Sequence, residues 1–490
     1  MKLSELVKHI TAKMVGSDRE IKALGYDSRA MKPESLFFAI RGYKTDGHNY
    51  VQKAVDNGAI AIVVDHEIPN TRVTQIVVAD TRFAMGLMAA SFFGFPTRKL
   101  RMIGITGTNG KTTTTYLTKA LLEEAGFKVG LIGTIQNLIA DKILPAKRTT
   151  PESVDLQHLL AKMVQQKVEY VVMEVSSHAL ELQRTVGVEF DVAIFTNLTQ
   201  DHLDFHQTFD QYFNAKARLF TSLLKDTTKT PKTAVINFDD AYGLRMAARS
   251  SAPVISYGVE SYAQLQANDL QIRSTGVSYR LHTPLGDEEL ALRLAGTFNV
   301  YNSLAAIGVG LAEGIDLTTM KVALEKVKIV PGRFELVDGG QDFTVIVDYA
   351  HTPDSLENVL RTAHGFVKNR VIVVFGAGGD RDRSKRSLMG TVAANFADHI
   401  IITSDNPRSE EPLAICQEIE AAIKDSDTTV SYDLIVNRQE AIYHSIQLAR
   451  TGDVLILAGK GHETYQELKE EIINFDDKKE ALAAIKELLS

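Results

Sequence analysis

The chain has 490 residues, of which 44% are hydrophobic and 23% charged, with a formal net charge of -7. These proportions match ordinary globular proteins and exclude a disordered or collagen-like chain, and also a chain-wide basic surface for nucleic acid or an anionic membrane. A local basic pocket for one anionic ligand stays open. The length suggests about three domains at roughly 150 residues each, every one large enough for its own core.

The opening residues, Met1-Lys2-Leu3-Ser4-Glu5-Leu6-Val7, read as an amphipathic helix and not as a signal peptide, because charge interrupts the apolar positions and no apolar core segment follows. No run approaches the roughly 18 apolar residues of a membrane span. The single cysteine, Cys416, forbids an internal disulfide and fits a reducing compartment; inside Leu413-Ala414-Ile415-Cys416 it reads as a small buried hydrophobe. The expectation is a cytoplasmic protein without membrane insertion, working as a monomer on small-molecule substrates.

Short apolar runs then alternate with helical periodicity along nearly the whole chain, the pattern of an α/β protein with parallel sheets. A first unit covers 1–98, with strands expected at 59–64 and 75–78 and a turn at Phe93-Gly94-Phe95-Pro96-Thr97. A second unit, 99–330, opens with a strand at 102–106 and carries others near 168–175, 190–196 and 233–238. An antiparallel hairpin is expected from the alternation at 271–273 and 278–281. A helix follows at 300–313, with Gly314 as its cap. Pro331-Gly332 opens a third unit, 331–490. Its strands at 344–348, 370–375, 399–403 and 453–457, separated by helices, read as a doubly wound sheet.

The clearest chemistry is Gly104-Ile105-Thr106-Gly107-Thr108-Asn109-Gly110-Lys111-Thr112-Thr113, a strand running into a helix. Glycines let backbone N–H groups close around phosphate oxygens. The helix N-terminus adds a favourable dipole, Lys111 a cation, and Thr112 a hydroxyl for Mg²⁺. The strict Walker spacing would need glycine where Ile105 stands, so the loop is a variant, and alone it leaves kinase, ATPase, GTPase and ligase open.

This variant resembles the ATP loop of the Mur ligase superfamily, which holds the amino-acid ligases of peptidoglycan synthesis and folylpolyglutamate synthase. Four further motifs are similar and stand in the same order: Glu174-Val175-Ser176-Ser177-His178; the run from Thr196 to His206, containing Asp201-His202-Leu203-Asp204; Gly296-Thr297-Phe298-Asn299-Val300-Tyr301-Asn302; and Pro331-Gly332-Arg333-Phe334-Glu335 followed by Asp348-Tyr349-Ala350-His351-Thr352-Pro353. Within the superfamily, the branch that adds the third amino acid fits best. Asp27-Ser28-Arg29 and Thr45-Asp46-Gly47-His48 resemble its nucleotide-sugar segments, and Asp405-Asn406-Pro407-Arg408 resembles the motif of members that add meso-diaminopimelate; lysine-adding members usually lack that arginine.

The resemblance implies three domains: an N-terminal α/β domain for the UDP-linked substrate, a central P-loop mononucleotide-binding domain, and a C-terminal Rossmann-like domain for the amino acid. It implies an ATP-dependent ligase acting through an acyl phosphate on UDP-N-acetylmuramoyl-L-alanyl-D-glutamate. By this carry-over Gly107, Thr108, Asn109, Gly110, Lys111, Thr112, Thr113, Asn299 and Arg333 contact ATP. Ser28, Asp46, Gly47, His48, Thr149, Thr150, Ser176 and Arg184 take the UDP substrate, although Leu182 stands where some members use a substrate-contacting glutamine. Arg381, Asp405, Asn406, Pro407, Arg408, Gly459 and Glu463 take the amino acid.

Lys111, Glu174, His202 and Lys216 are the expected catalytic residues. Thr112, Glu174, His202 and Lys216, the last as a CO₂-derived carbamate, would hold two Mg²⁺ ions, with Asp201 orienting His202. On residue chemistry alone Glu174 reads equally as a solvated acid at a strand end, His202 as a structural histidine, Lys216 as a surface lysine and Asn299 as a helix N-cap. Asp348 and His351 are expected to line the nucleotide or interdomain surface.

Overall fold

A computed structural model describes residues 1–42, 45–225 and 228–490. Among the described residues there are three main sheets, of five, eleven and six strands, and a two-stranded ribbon. Each main sheet belongs to one stretch of the chain. No described helix is long and apolar enough to cross a membrane.

The site is organised by the central sheet. Its parallel core runs in the order Thr233–Asn237, Val192–Phe195, Arg101–Thr106, Tyr170–Glu174 and Val129–Ile132. These strands are apolar at nearly every position because both faces are covered. Ile103, Ile105, Val172 and Ile194 face the helices Lys111–Glu124 and Thr297–Ala312, where Leu117, Leu121, Val300 and Leu304 meet them. Met102, Val171, Met173 and Phe195 face the other side, toward Leu156 and Leu160 of Ser153–Gln165 and Tyr212 and Phe213 of Phe209–Arg218.

From Arg101–Thr106 the chain first builds strands on one side, then crosses to Val192–Phe195 on the other. That reversal opens a crevice at the carboxyl ends of the strands. The loop 107–110, Glu174 and the segment after Phe195 all start there. The expected hairpin is present as part of a three-stranded antiparallel extension, Leu265–Arg273, Gly276–Thr283 and Gly286–Leu292.

One helix start differs from the sequence reading. The helix expected at 300–313 begins at Thr297, with Gly296 at its N-cap position, so Asn299 is not the cap but lies within the first turn. Phe298 packs on Phe334 of the C-terminal unit, with ring centroids 5.9 Å apart.

The C-terminal sheet repeats the logic. Its order is Glu335–Val337, Thr344–Asp348, Val454–Ala458, Val371–Phe375, His399–Ile402 and Ser431–Leu434, parallel except for the first edge strand. Loops at its carboxyl ends carry Tyr349–His351, Gly378–Asp382, Asp405–Arg408 and Gly459–Glu463.

Under two of these loops lies a fully buried ion pair. Arg438 donates from Nε and Nη2 to the two carboxylate oxygens of Asp477, at 2.8 and 2.6 Å. The same guanidinium donates to the carbonyls of Ala458, at 2.9 Å, and Ser404, at 3.4 Å. Removing one partner strands a buried charge, which typically costs about 3–5 kcal/mol. Asp477→Ala is therefore expected to destabilise the C-terminal unit by roughly that amount, read as an earlier urea-unfolding transition; Arg438→Met combined with Asp477→Leu is expected to recover much of the loss.

Candidate active site

The phosphate loop closes tightly on its neighbours. Gly110, at φ +85°, is the N-cap of Lys111–Glu124, and a Cβ on it would stand 2.4 Å from Asn302 Oδ1. A Cβ on Gly107 would fall 1.8 Å from Thr196 Oγ1. Both positions require glycine. Asn197 steers the loop, accepting from the Asn109 amide on Oδ1 at 2.8 Å and from the Thr108 amide on its carbonyl at 2.9 Å. Lys111 folds back so that Nζ donates to the carbonyls of Gly107, at 2.9 Å, and Thr108, at 2.7 Å. These are contacts an arriving phosphate can replace. Thr113 is buried beneath the loop.

Glu174 ends its strand almost wholly buried, at 1% exposure. Its carboxylate accepts from Thr112 Oγ1 at 3.1 Å, from the Thr134 amide at 2.9 Å and from Thr134 Oγ1 at 2.8 Å. All three donors are neutral. Its hydrogen bonds come only from neutral groups, with Lys111 near enough to feel its charge, and with hydroxyl oxygens beside it the donor set fits a hard dication such as Mg²⁺. Arg333 reaches across from the C-terminal unit, donating from Nη2 to Thr112 Oγ1 at 3.2 Å while lying 4.5 Å over the Tyr349 ring.

Lys216 is buried, not a surface lysine. Its Nζ donates to the Gly107 carbonyl at 2.7 Å. Burial, and then the charge of Lys111, push its ammonium far below the ordinary lysine range, against a smaller opposing pull from Asp201. Lys111 is lowered too, by burial and Arg333, with Glu174 and Asp201 opposing. His202, at positive φ, sits with Nε2 3.3 Å from Asp201 Oδ2; burial drives its pKa well down despite that carboxylate. Asp348 accepts from the Phe334 amide at 2.6 Å, and burial raises its carboxyl to about 6 against the pull of Arg333. His351 is tied to the Tyr349 carbonyl at 2.7 Å.

These groups line one cavity of about 480 Å³ between the central and C-terminal units, walled by residues 107–113, Glu174, His202, Lys216, Arg333, Asp348 and His351. Thr149 and Ser176 reach it as well. Asn299 does not: it is 2% exposed, with Nδ2 on the Ala295 carbonyl and Oδ1 accepting from Asn302, and Asn302 takes the wall position one helical turn on.

The remaining expected residues form three groups. Thr150 and Arg184 lie behind Ser176. Thr150 Oγ1 donates to the Glu174 carbonyl at 2.8 Å, and Arg184 Nε lies 2.9 Å from Glu152, a carboxylate that Arg82 of the N-terminal unit also approaches, at 3.6 Å. The Leu182 carbonyl accepts from Arg82 at 3.4 Å. Ser28, Asp46, Gly47 and His48 stand in the N-terminal unit and do not line the cavity. There Asp46 Oδ1 accepts from the His48 amide and ring, at 3.0 and 2.6 Å, and these bonds hold its pKa down.

The third group gathers in the C-terminal unit. Asn406 Nδ2 donates to Glu463 at 2.8 Å, and fully buried Lys460 donates to both Asn406 and Glu463 at 3.1 Å. Burial raises the Glu463 carboxyl against the pull of Lys460. Asp405 Oδ2 is buried with no hydrogen-bond partner among the described residues, 2.6 Å from where a Cβ on Gly459 would stand. Arg408 donates from Nε to Glu467 at 2.9 Å and from Nη1 to the Gly379 carbonyl at 2.7 Å; the Pro407 carbonyl also packs on Gly379. Arg381 is exposed, with Nη1 on the Asp380 carbonyl at 3.1 Å.

Residues 20–93 match the Mur ligase family catalytic domain, 105–310 the Mur ligase middle domain and 332–461 the Mur ligase glutamate ligase domain. A protein of Syntrophomonas wolfei named UDP-N-acetylmuramoyl-L-alanyl-D-glutamate--2,6-diaminopimelate ligase is 48% identical over 486 residues, 98% of each chain. The chain belongs to the Mur ligase family. A protein of the same name from Geobacillus thermodenitrificans is 48% identical over 490 residues, covering 99% of this chain and all of that one. A solved structure bearing that name is similar with a TM-score of 0.67 at 33% identity, covering 96% of both chains.

In this Mur ligase Thr134 and Asp354, and in the C-terminal loops Lys460 and Glu467, went unread in the sequence, while Asn197 and Asn302 stood inside quoted motifs without a role of their own. Thr134 and Asn197 each lie just beyond the carboxyl end of a parallel strand, where α/β ligands bind, and that rule could have found them. Asp354 accepts from Asn109 Nδ2 at 2.6 Å, across 245 residues, which no local pattern reveals. Thr134 supplies two of the three donors that orient Glu174. Thr134→Val keeps the amide and loses the hydroxyl, and is expected to lower nucleotide turnover about 10- to 100-fold with little change in melting temperature. Steady-state phosphate release checks it.

Proposed function

We propose that this protein is an ATP-dependent amide ligase that joins meso-diaminopimelate to the D-glutamate of UDP-N-acetylmuramoyl-L-alanyl-D-glutamate, in cytoplasmic peptidoglycan synthesis. The observation that carries the reading is its full-length 48% identity to proteins named for that ligation, with Asp405-Asn406-Pro407-Arg408 at the mouth of the C-terminal loops. We place the domain boundaries near 98 and 330. The proposed working form is a monomer.

A carboxylate acylates poorly because oxide is a bad leaving group. Transfer of ATP's γ-phosphoryl group to the glutamate carboxylate breaks the bridging P–O bond, releases ADP and gives an acyl phosphate. The amine of the incoming amino acid then attacks the acyl carbon, and inorganic phosphate leaves. The protein's work is positioning and charge neutralisation. Residues 107–113 cradle the phosphates, Lys111 shifts from the loop carbonyls onto phosphate oxygens, and Arg333 approaches from the opposite wall. Mg²⁺, held by Thr112, Glu174, His202 and a carbamate on Lys216, would neutralise the polyphosphate and the developing charge. The environment of Lys216 supports that carbamate: a lysine kept neutral by burial can add CO₂, losing a proton and gaining an anionic oxygen ligand.

Ser28, Asp46, Gly47 and His48 take the uridine nucleotide; Thr149, Thr150, Ser176 and Arg184 take the sugar and peptide. Arg408, with Arg381, pairs the distal carboxylate of diaminopimelate, while Glu463 and the free oxygen of Asp405 take its ammonium.

Three outcomes test this. Native enzyme is expected to prefer meso-diaminopimelate to L-lysine in kcat/KM by about tenfold or more, since lysine lacks the distal carboxylate that Arg408, already part-held by Glu467 and the Gly379 carbonyl, would bind. Arg408→Ala is expected to lose most diaminopimelate activity with ATP affinity little changed; equal native efficiency with the two amino acids would move the reading to a lysine-adding ligase. Lys216→Ala is expected to be inactive and partly rescued by short carboxylic acids; a mutant active without them returns Lys216 to a structural role.

A further inference from the structure

The amino-acid loops and the phosphate loop belong to different units, yet the acyl phosphate formed at one must meet the amine held at the other. One ion pair spans that gap close to both. The helix Ser384–Phe396 starts directly after the loop that carries Arg381. In its first turn Lys385 donates from Nζ to Asp201 Oδ1, in the central unit. Both side chains are largely out of water, at 11% and 5% exposure. Gln200 Nε2 donates to Ser384 Oγ beside them, at 3.4 Å.

The neighbouring charges leave Lys385 no acidic competitor on its own helix. Asp382, just before the helix, accepts from Ser384 on Oδ1, its buried Oδ2 having no hydrogen-bond partner among the described residues, while Arg383 and Arg386 engage Glu418 and Glu410. Asp201 in turn adjoins His202. The central side of the contact is fixed from within its own unit: the Thr199 amide donates to Thr108 Oγ1 at 3.0 Å and the Leu198 amide to Asp240 at 2.9 Å. Loss of Lys385 would therefore free the amino-acid side and leave the phosphate side in place.

Resting on the ligase reading, we infer that Lys385 is a positioning residue for amine attack, holding the amino-acid loop 378–382 against the loop that carries Asp201 through their ion pair. Aligned groups react far faster than loosely held ones, and a small misplacement can cost about a hundredfold.

The test separates the two chemical steps. Hydroxylamine traps the acyl phosphate as a hydroxamate from ATP and UDP-N-acetylmuramoyl-L-alanyl-D-glutamate without any diamino acid; ligation is followed with meso-diaminopimelate. Lys385→Ala is expected to form hydroxamate within about threefold of native and to bind a non-hydrolysable ATP analogue as tightly, while ligation kcat falls at least tenfold, consistent with the proximity effect. Lys385→Arg, which keeps a cation able to reach Asp201, is expected to restore most of the ligation rate. Native-like ligation by Lys385→Ala overturns the inference, as does an equal loss in both assays or an arginine variant no better than alanine. Native enzyme inert in both assays overturns the ligase reading itself.

Discussion

The cleft depends on one buried carboxylate. Glu174 is carried to the end of a central strand by four buried residues, Tyr170 to Met173, and meets the solvent only through the cleft it lines. Neutral hydroxyls and one amide orient it without cancelling it. Around it stand Lys111, Lys216 and Arg333, cations that either fold back on carbonyls or are pushed toward neutrality by burial. Such a set is poorly satisfied alone and well satisfied by a polyphosphate with its metal. That is the sense in which it is preorganised.

The same constraint explains the unusual lysine. An ammonium at the place of Lys216 would be buried and would face Lys111. Among the described residues its hydrogen-bond acceptor is the Gly107 carbonyl, which belongs to the phosphate loop itself. Desolvation favours the uncharged amine at such a place, and the phosphate loop is thereby linked to the chemistry of this side chain. The strands support both ends of the arrangement, since Arg101–Thr106 and Tyr170–Glu174 bury both faces and deliver Thr106 and Glu174 at their carboxyl ends.

The fold was legible because its signals are local and repeated. Continuous apolar runs of strand length alternating with amphipathic helices specify parallel sheets, and Gly107 and Gly110 announce a loop that only glycine can enter. The start of the helix at Thr297 was not legible, because Asn299 is the better N-cap on local grounds, whereas the structure puts Gly296 at the cap and Phe298 against Phe334 of the other unit. The cleft was legible in part. Polar residues at strand ends follow a rule. The facing of Arg333 toward Thr112, across 221 residues, and of Lys385 toward Asp201, across 184, depends on how two units dock, which no window of sequence contains.

The docking itself is uneven, and the unevenness has a consequence. Near the joint it is apolar: Ala295 and Phe298 of the central unit pack into the C-terminal core beside Phe334. Across the cleft it is polar, made of Arg333 on Thr112, Asn109 on Asp354 and Lys385 on Asp201. Apolar contact is lost at full cost when water enters. Each of these polar contacts involves a charged group and is exchanged for bonds to water at a net cost of about 1.5–3 kcal/mol. The joint near 330–334 is thus held by contacts that exclude water, and the cleft by contacts that water can replace. The polar contacts form only where the two loops face each other, so the groups that join the units across the cleft also align them.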